Sequence, residues 1–542
     1  MAGPIRRQAT WEVEAMGENV STRRLVVGLT VMFLLAGCAA GATPTQSPTP
    51  APTPTPTATP TQNPSPAPSA TPVPAASPAP SASSGEAPRS GWPYTSSVGI
   101  TDALFGEDGR VVLAEHDGRI TVLDSNGSPV PGWPWTPSVA GGGAPSVVFG
   151  PDGSLYVAVR VSTDVYPVAY SWSLHRLGPD GREMAGFPVD LPPMPFCGLD
   201  VSDTDAFVFC QDENESTGNA SVFTVVRPDG STRGGWPVRM AGLLTLAGFG
   251  PDGRAYLTAW YGEPGVRITA LASSGTEVAG WPRTIGGEGE PWVQIDAQGR
   301  VRVTSSRDVA QEQCGLPAQT AYTMLQADGS TGPGWPVTVK GWSSMPELAD
   351  DGTMVVAAAT GKVTAYSSRG VVRDGWPVSK VDVNVECMGG SRPWAAGGGT
   401  TVVLGEDHAT LLAADGRVAS GWPVTLPYGP ADSCGFACTP GGMGPMEPAV
   451  GERAVYIGAY QGDVGGKGTE GGTNTVQPRV TVVERDGSMP SDAQVLLGKV
   501  GDTLWWLRIA PTGRVWALTV SNLEDAQQST LSLVAEDTVP GP

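Results

Sequence analysis

Six cysteines lie beyond residue 90: Cys197, Cys210, Cys314, Cys387, Cys434 and Cys438. Thiols can pair with one another or bind a soft metal. In an exported chain an even count favours disulfides, although six cysteines allow fifteen connectivities. Cys197–Cys210 and Cys434–Cys438 are local pairs whose loops close easily, and Cys314–Cys387 follows by elimination. A metal site is the alternative, but the paired Cys-x-x-Cys spacing of such sites is missing. Only three histidines (His116, His175, His408) are present, which leaves little material for a His-rich metal site or a His-based triad. The chain has no Gly-x-Ser-x-Gly, no His-Glu-x-x-His and no Gly-x-x-x-x-Gly-Lys. It therefore lacks a signature for nucleophilic, zinc or phosphate chemistry. No cofactor is expected, and no residue is singled out as catalytic.

The seventh cysteine has a different setting. Arg23 and Arg24 precede an apolar run from Leu25 to Leu35, which ends in Leu35-Ala36-Gly37-Cys38. A positive region, a short apolar core and small residues before a cut describe an export signal. The run is too short to span a bilayer, which takes about 20 apolar residues. Leu-Ala-Gly-Cys resembles the bacterial lipobox. That resemblance implies cleavage before Cys38, leaving residues 1–37 as signal peptide and Cys38 as a lipidated N-terminus.

Residues 42–90 are almost wholly Ala, Thr, Pro and Ser. Such a segment cannot bury enough apolar surface to offset its ordering entropy, so 38–90 reads as a disordered linker. At about 3.1 Å per residue, a proline-rich stalk of this length reaches on the order of 150 Å.

From residue 91 to 542 one unit recurs. Gly-Trp-Pro starts at 91, 132, 235, 280, 334, 375 and 421, with Gly186-Phe187-Pro188 as a variant. Spacings run from 41 residues (91 to 132) to 54 residues (132 to 186). A repeat of this size signals stacked supersecondary units. Within each unit, apolar β-branched runs alternate with Asp-Gly turns such as Asp152-Gly153 and Asp180-Gly181, which suit tight hairpins. The pattern predicts four antiparallel strands per unit, with Gly-Trp-Pro opening the outermost, where proline is tolerated. The fold class is all-β: one β-propeller of eight or nine four-stranded blades, nine preferred. The last unit lacks a Gly-Trp-Pro and the first Gly-Trp-Pro lacks a unit, so the two ends are expected to complete one blade and close the ring. The eighth unit is degenerate, carrying Asp486-Gly487-Ser488-Met489-Pro490 in place of the signature.

A turn glycine followed by tryptophan on an outer strand resembles the blade signature of quinoprotein-like propellers. That family holds quinone-dependent alcohol dehydrogenases and many non-enzymatic relatives. The resemblance implies a propeller over 91–542 and leaves a propeller enzyme, quinoprotein or carbohydrate-active, as the competing function. The adjacent cysteines that mark the dehydrogenases are absent, since Cys434 and Cys438 have three residues between them. The repeat aromatics Trp92, Trp133, Phe187, Trp236, Trp281, Trp335, Trp376 and Trp422 read as packing residues between blades.

Long insertions (Asp212 to Ala220, Arg307 to Gln319, Val381 to Arg392, Tyr428 to Met446, Gln461 to Gln477) all fall between second and third strands or between blades. Topology puts these on one face, with all six cysteines, and leaves the other face to plain turns. Variable loops on a rigid scaffold are where binding resides. Asp200, Asp203, Asp205, Asp212, Glu213 and Glu215 are expected to make that face acidic and to favour a cationic or polar partner or a divalent ion. The net charge of −20 argues against nucleic acid. The expected role is an extracytoplasmic binding or assembly module, tethered to the membrane through Cys38 and presenting its loop-rich face to a protein or polysaccharide. Replacing Cys38 by Ala should release the protein from the membrane fraction or block its processing; unchanged membrane association in fractionated cells would refute the anchor.

Overall fold

A computed structural model describes residues 91–537 apart from 139–143, 163–169, 203, 213–218, 261–264, 310–316, 350, 384–392, 406, 428–445, 462–476, 501 and 522–527. Cys38, Cys314, Cys387, Cys434 and Cys438 lie outside the described residues, as do the signal and the stalk.

The strands form nine separate sheets, each antiparallel; seven have four strands and two have three. In chain order the blades span 100–135, 146–191, 196–241, 243–285, 288–340, 347–378, 393–425, 449–496 and 502–536. In blades 1 and 6 the fourth strand shrinks to a single bridge, Ile120 to Trp135 and Val363 to Val378. The expected nine blades are present. The ring closes as anticipated: Tyr94–Ser96 is the outermost strand of blade 9, with Tyr94 opposite Leu531 and Ser96 opposite Ser529.

Strand sequences follow from being covered on both sides. In blade 1, Val111 and Leu113 pack toward blade 9, while Val112 and Ala114 pack toward blade 2. Strands buried on both faces read as continuous apolar runs rather than as alternating ones. Nine apolar clusters result, and each draws on two neighbouring blades.

The repeat signature locks eight of these nine seams. Gly132 approaches the Asp180-Gly181 turn of the next blade so closely that an added Cβ would lie 2.0 Å from the Asp180 carbonyl oxygen. Its φ of +94° also favours glycine. The following Trp133 is 8% exposed, and its indole N–H donates to the Pro179 carbonyl at 3.1 Å. The same bond recurs from Trp236 to Ser273 (3.0 Å), Trp281 to Ala327 (3.1 Å), Trp335 to Ser368 (3.1 Å), Trp376 to Ala414 (3.3 Å), Trp422 to Arg485 (3.0 Å) and Trp92 to Ser125 (3.4 Å). These tryptophans lie in the apolar clusters between blades, and each adds a hydrogen bond across its seam. The following Pro begins the outer strand, as Pro188 precedes Val189–Leu191 and Pro237 precedes Val238–Ala241.

Two seams lack the tryptophan, and each has a substitute. Phe187 has no N–H to give, and the carbonyl that its tryptophan would have met, Pro228 O, accepts Arg176 Nη1 at 2.7 Å instead. Arg176 is 6% exposed, lies over the Tyr156 ring and pairs with Asp152 at 2.7 Å. Blade 8 carries no signature at all. There the Asp537 carboxylate, fully buried at the end of blade 9, accepts from the amides of Arg453 and Ala454 (3.2 Å each) and from the Tyr456 hydroxyl (3.0 Å). Burial and the adjacent Asp537 push the Tyr456 phenol up to about 12.

Arg176→Ala should therefore cost about 1–3 kcal/mol, because the part-buried Pro228 carbonyl and the Asp152 carboxylate both lose a donor. Arg254→Ala should cost less, since the Ala327 carbonyl that Arg254 contacts keeps its bond from Trp281. Chemical denaturation of the two variants should separate them, and equal midpoints would refute the substitution argument.

Candidate binding face

Strand direction decides what each face of the ring carries. First strands run toward turns such as 106–110, 150–154, 250–254 and 451–453, and third strands end in the interlocked turns on that same side. Second and fourth strands run back to the opposite side. All five long insertions depart there. The segment 213–219 separates Asp205–Asp212 from Ala220–Val226, and 462–476 separates Ala454–Gln461 from Gln477–Glu484.

The strand ends from which these loops leave are fixed by side chains. Cys197 and Cys210 are directly opposed across the first hairpin of blade 3, with Cα atoms 4.0 Å apart, and form a disulfide. Both are buried, at 1% and 0% exposed, and pack in the apolar cluster between blades 2 and 3. This is the first of the three expected pairings, and the other four cysteines lie outside the described residues. Next to Cys210, Gln211 donates to the Leu244 carbonyl of blade 4 at 2.9 Å. Ser221 receives the Leu244 amide at 2.8 Å and donates to Gly242 at 2.9 Å. At blade 8, Gln477 reaches the Gly498 carbonyl at 3.0 Å; at blade 9, Asp502 accepts from Ser521 at 2.7 Å and from the Lys499 amide at 2.9 Å.

A buried carboxylate holds the closing strand on this face. Glu115, at the end of the second strand of blade 1, is wholly buried. It is ion-paired to Arg119 and accepts from Thr121 at 3.2 Å and from Tyr94 at 3.3 Å. Tyr94 belongs to the strand that closes blade 9, so this cluster ties the chain's entry point to blade 1. Burial and the Glu115 charge push the Tyr94 phenol up. No sequence motif marks Glu115, Asp502 or Asp537. Their partners are distant in the chain or set by loop geometry, and a buried carboxylate reads like any exposed one.

The expected acidic cluster is corrected by the fold. Asp205 sits at the plain-turn end of its strand, 2% exposed, and pairs with Arg233 at 2.6 Å. Asp200 lies toward that same end, opposite Phe207, while Asp212 lies at the loop-rich end. Asp203, Glu213 and Glu215 are outside the described residues. A strand crosses the ring from face to face, so nearness in sequence divided these carboxylates between the two sides. Apolar side chains are displayed instead. Met345 on the connection into blade 6, Leu496 at the end of the outer strand of blade 8 and Val500 on the connection into blade 9 are 37%, 55% and 61% exposed.

Among the described residues, no group of three or more His, Cys, Asp or Glu is placed to hold a metal ion, and no helix is long and apolar enough to cross a membrane.

No protein-family model matches the chain, and no curated protein matches it. Solved structures similar to it include a eukaryotic initiation factor, at 9% identity and a TM-score of 0.46, covering 74% of this chain and 88% of that one. BamB from Moraxella catarrhalis is similar at 12% identity and a TM-score of 0.36, over 80% of this chain and 96% of that one. A protein of unknown function from Bacteroides caccae is similar at 12% identity and a TM-score of 0.25, over 50% and 93%. The propeller assignment rests on the nine-sheet topology itself, and these likenesses carry no argument about function.

Reducing the Cys197–Cys210 bridge should cost up to about 3 kcal/mol, the scale expected for a loop of this size. Non-reduced peptide mapping should recover the bridge, and Cys197→Ser/Cys210→Ser should lower the thermal midpoint. Free thiols at both positions in exported protein would refute the pairing.

Proposed function

We propose that this chain is an extracytoplasmic, lipid-anchored binding or assembly module that engages a protein partner through the loop-rich face of its propeller. The observation that carries this reading is the division of labour between the two faces. Every interlocked turn lies on one side, while every long insertion departs from the other. Exposed Leu496 and Val500 on the loop-rich side add an apolar contact of the kind protein partners bury. The signal, Cys38 and the stalk supply export, tethering and reach. The insertions 213–218 and 462–476 leave from strands held by the Cys197–Cys210 disulfide and by the side-chain amides of Gln211 and Gln477.

The test shortens 213–218 and 462–476 to tight turns and, separately, makes Leu496→Ser and Val500→Ser. Tethered wild type should capture an envelope protein by cross-linking, and both sets of variants should lose it while keeping the wild-type thermal midpoint. Capture of polysaccharide in place of protein would overturn the partner class. Retention of every partner by folded, shortened protein would overturn the face.

A further inference from the structure

A polar constellation unrelated to the loop-rich face lies on the third strand of blade 2, Tyr170–Leu177. Ser173 Oγ is 2.9 Å from His175 Nε2, and His175 Nδ1 is 2.6 Å from Glu183 Oε1. Ser173 and His175 are two apart on a strand and so share a face. That face looks toward blade 1, where the Trp135 ring meets the imidazole edge-on at a centroid distance of 4.9 Å. Glu183 follows in the turn that ends the strand, where it bridges back to Leu177. His175 is 6% exposed, the Glu183 side chain is 33% exposed and Ser173 is partly exposed. The relay is packed at its centre and reachable at its serine.

Proton positions follow from what each group can do. An ionised carboxylate only accepts hydrogen bonds, so the neutral imidazole must carry its proton on Nδ1 and donate it to Glu183. Nε2 is then a bare acceptor, and the hydroxyl between them has one role left: Ser173 donates. Serine, histidine and carboxylate in this order and at these distances form the arrangement that activates a serine nucleophile, and it is recognised by geometry rather than by sequence position. The other charged group facing the serine is Asp190, its cross-strand neighbour on the outer strand, which is exposed. Together with Glu183 it makes the surroundings anionic, which favours neutral or cationic electrophiles.

We propose that Ser173 is a base-activated nucleophile that accepts acyl groups from small neutral or cationic esters. Ser173 Oγ bonds to the ester carbonyl carbon while its proton passes to His175 Nε2. The tetrahedral adduct collapses, and the departing alkoxide takes that proton and leaves as the alcohol. Water then attacks the acyl-serine, giving a proton to Nε2, and Oγ recovers it as the carboxylic acid departs. Glu183 holds the imidazole in its tautomer and stabilises the imidazolium formed in each half. The net change is ester plus water to acid plus alcohol.

The test uses the purified full chain and a small uncharged fluorophosphonate. The Oγ–P bond forms as the P–F bond breaks, fluoride leaves and the serine's proton goes to His175. Intact mass should show one adduct, and peptide mapping should place it on Ser173 and not on the exposed Ser171 of the same strand. Labelling should be followed across a range of pH for wild type and each variant. Ser173→Ala should abolish labelling, and His175→Gln should slow it roughly a hundredfold, the scale of a general base. Glu183→Gln, at a partly exposed position that spares the core, should slow it and alter the pH profile. Absence of a Ser173 adduct, or equal Ser173 labelling in wild type and Glu183→Gln, would overturn the proposal and leave a hydrogen-bonded trio that only packs. Hydrolysis of p-nitrophenyl acetate that persists in Ser173→Ala would equally assign the reactivity elsewhere.

Discussion

The interlock between a Gly-Trp-Pro segment and the turn of the next blade is the constraint on which the ring depends. A single blade exposes two apolar faces and has no stable existence alone, so its burial requires neighbours at a fixed spacing and angle. Apolar packing alone is not directional enough to set that angle. The glycine removes the side chain that would hold two backbones apart, and the indole adds a directional bond across the gap. Together they turn a soft apolar seam into a registered one, repeated around the ring.

The exceptions show that the bond matters more than the tryptophan. Where Phe187 stands, Arg176 reaches the vacant Pro228 carbonyl from its own blade. Where blade 8 has lost the signature, Asp537 ties the end of blade 9 to Arg453, Ala454 and Tyr456. Both substitutes bring a charge to a buried place, and both satisfy it with several hydrogen bonds, as burial of charge demands. At the closing seam Glu115 does the same for the strand Tyr94–Ser96 that completes blade 9. Charged groups in this acidic chain thus hold the irregular seams, while apolar clusters fill every one.

Because the interlocks occupy one side only, the two faces are under different physical pressures. A side chain added to an interlocked turn would strike the neighbouring blade, since a Cβ at Gly181 would lie 2.5 Å from the Gly132 carbonyl oxygen. A residue added between second and third strands meets solvent. Insertions therefore accumulate where they cost least, and the ring gains an elaborated side without losing its register.

Much of this was legible in the sequence. The spacing of Gly-Trp-Pro, the Asp-Gly turns and the mismatched ends implied eight or nine blades, nine preferred, and closure through the first Gly-Trp-Pro, because local turn chemistry and period are written in adjacent residues. The side on which each insertion leaves followed from strand parity alone, and Cys197 with Cys210 was found because a hairpin makes near neighbours in sequence near in space. Other features needed the tertiary structure. The carboxylates around residue 205 look like one patch until a strand carries them to opposite faces. His175 looks like one of three scattered histidines until the pleat sets Ser173 beside it and a turn returns Glu183. Asp537 and Tyr456 are joined only by the ring. Sequence period specifies what recurs between neighbours, whereas the fate of a single polar side chain depends on which distant atom the closed ring brings within hydrogen-bonding distance.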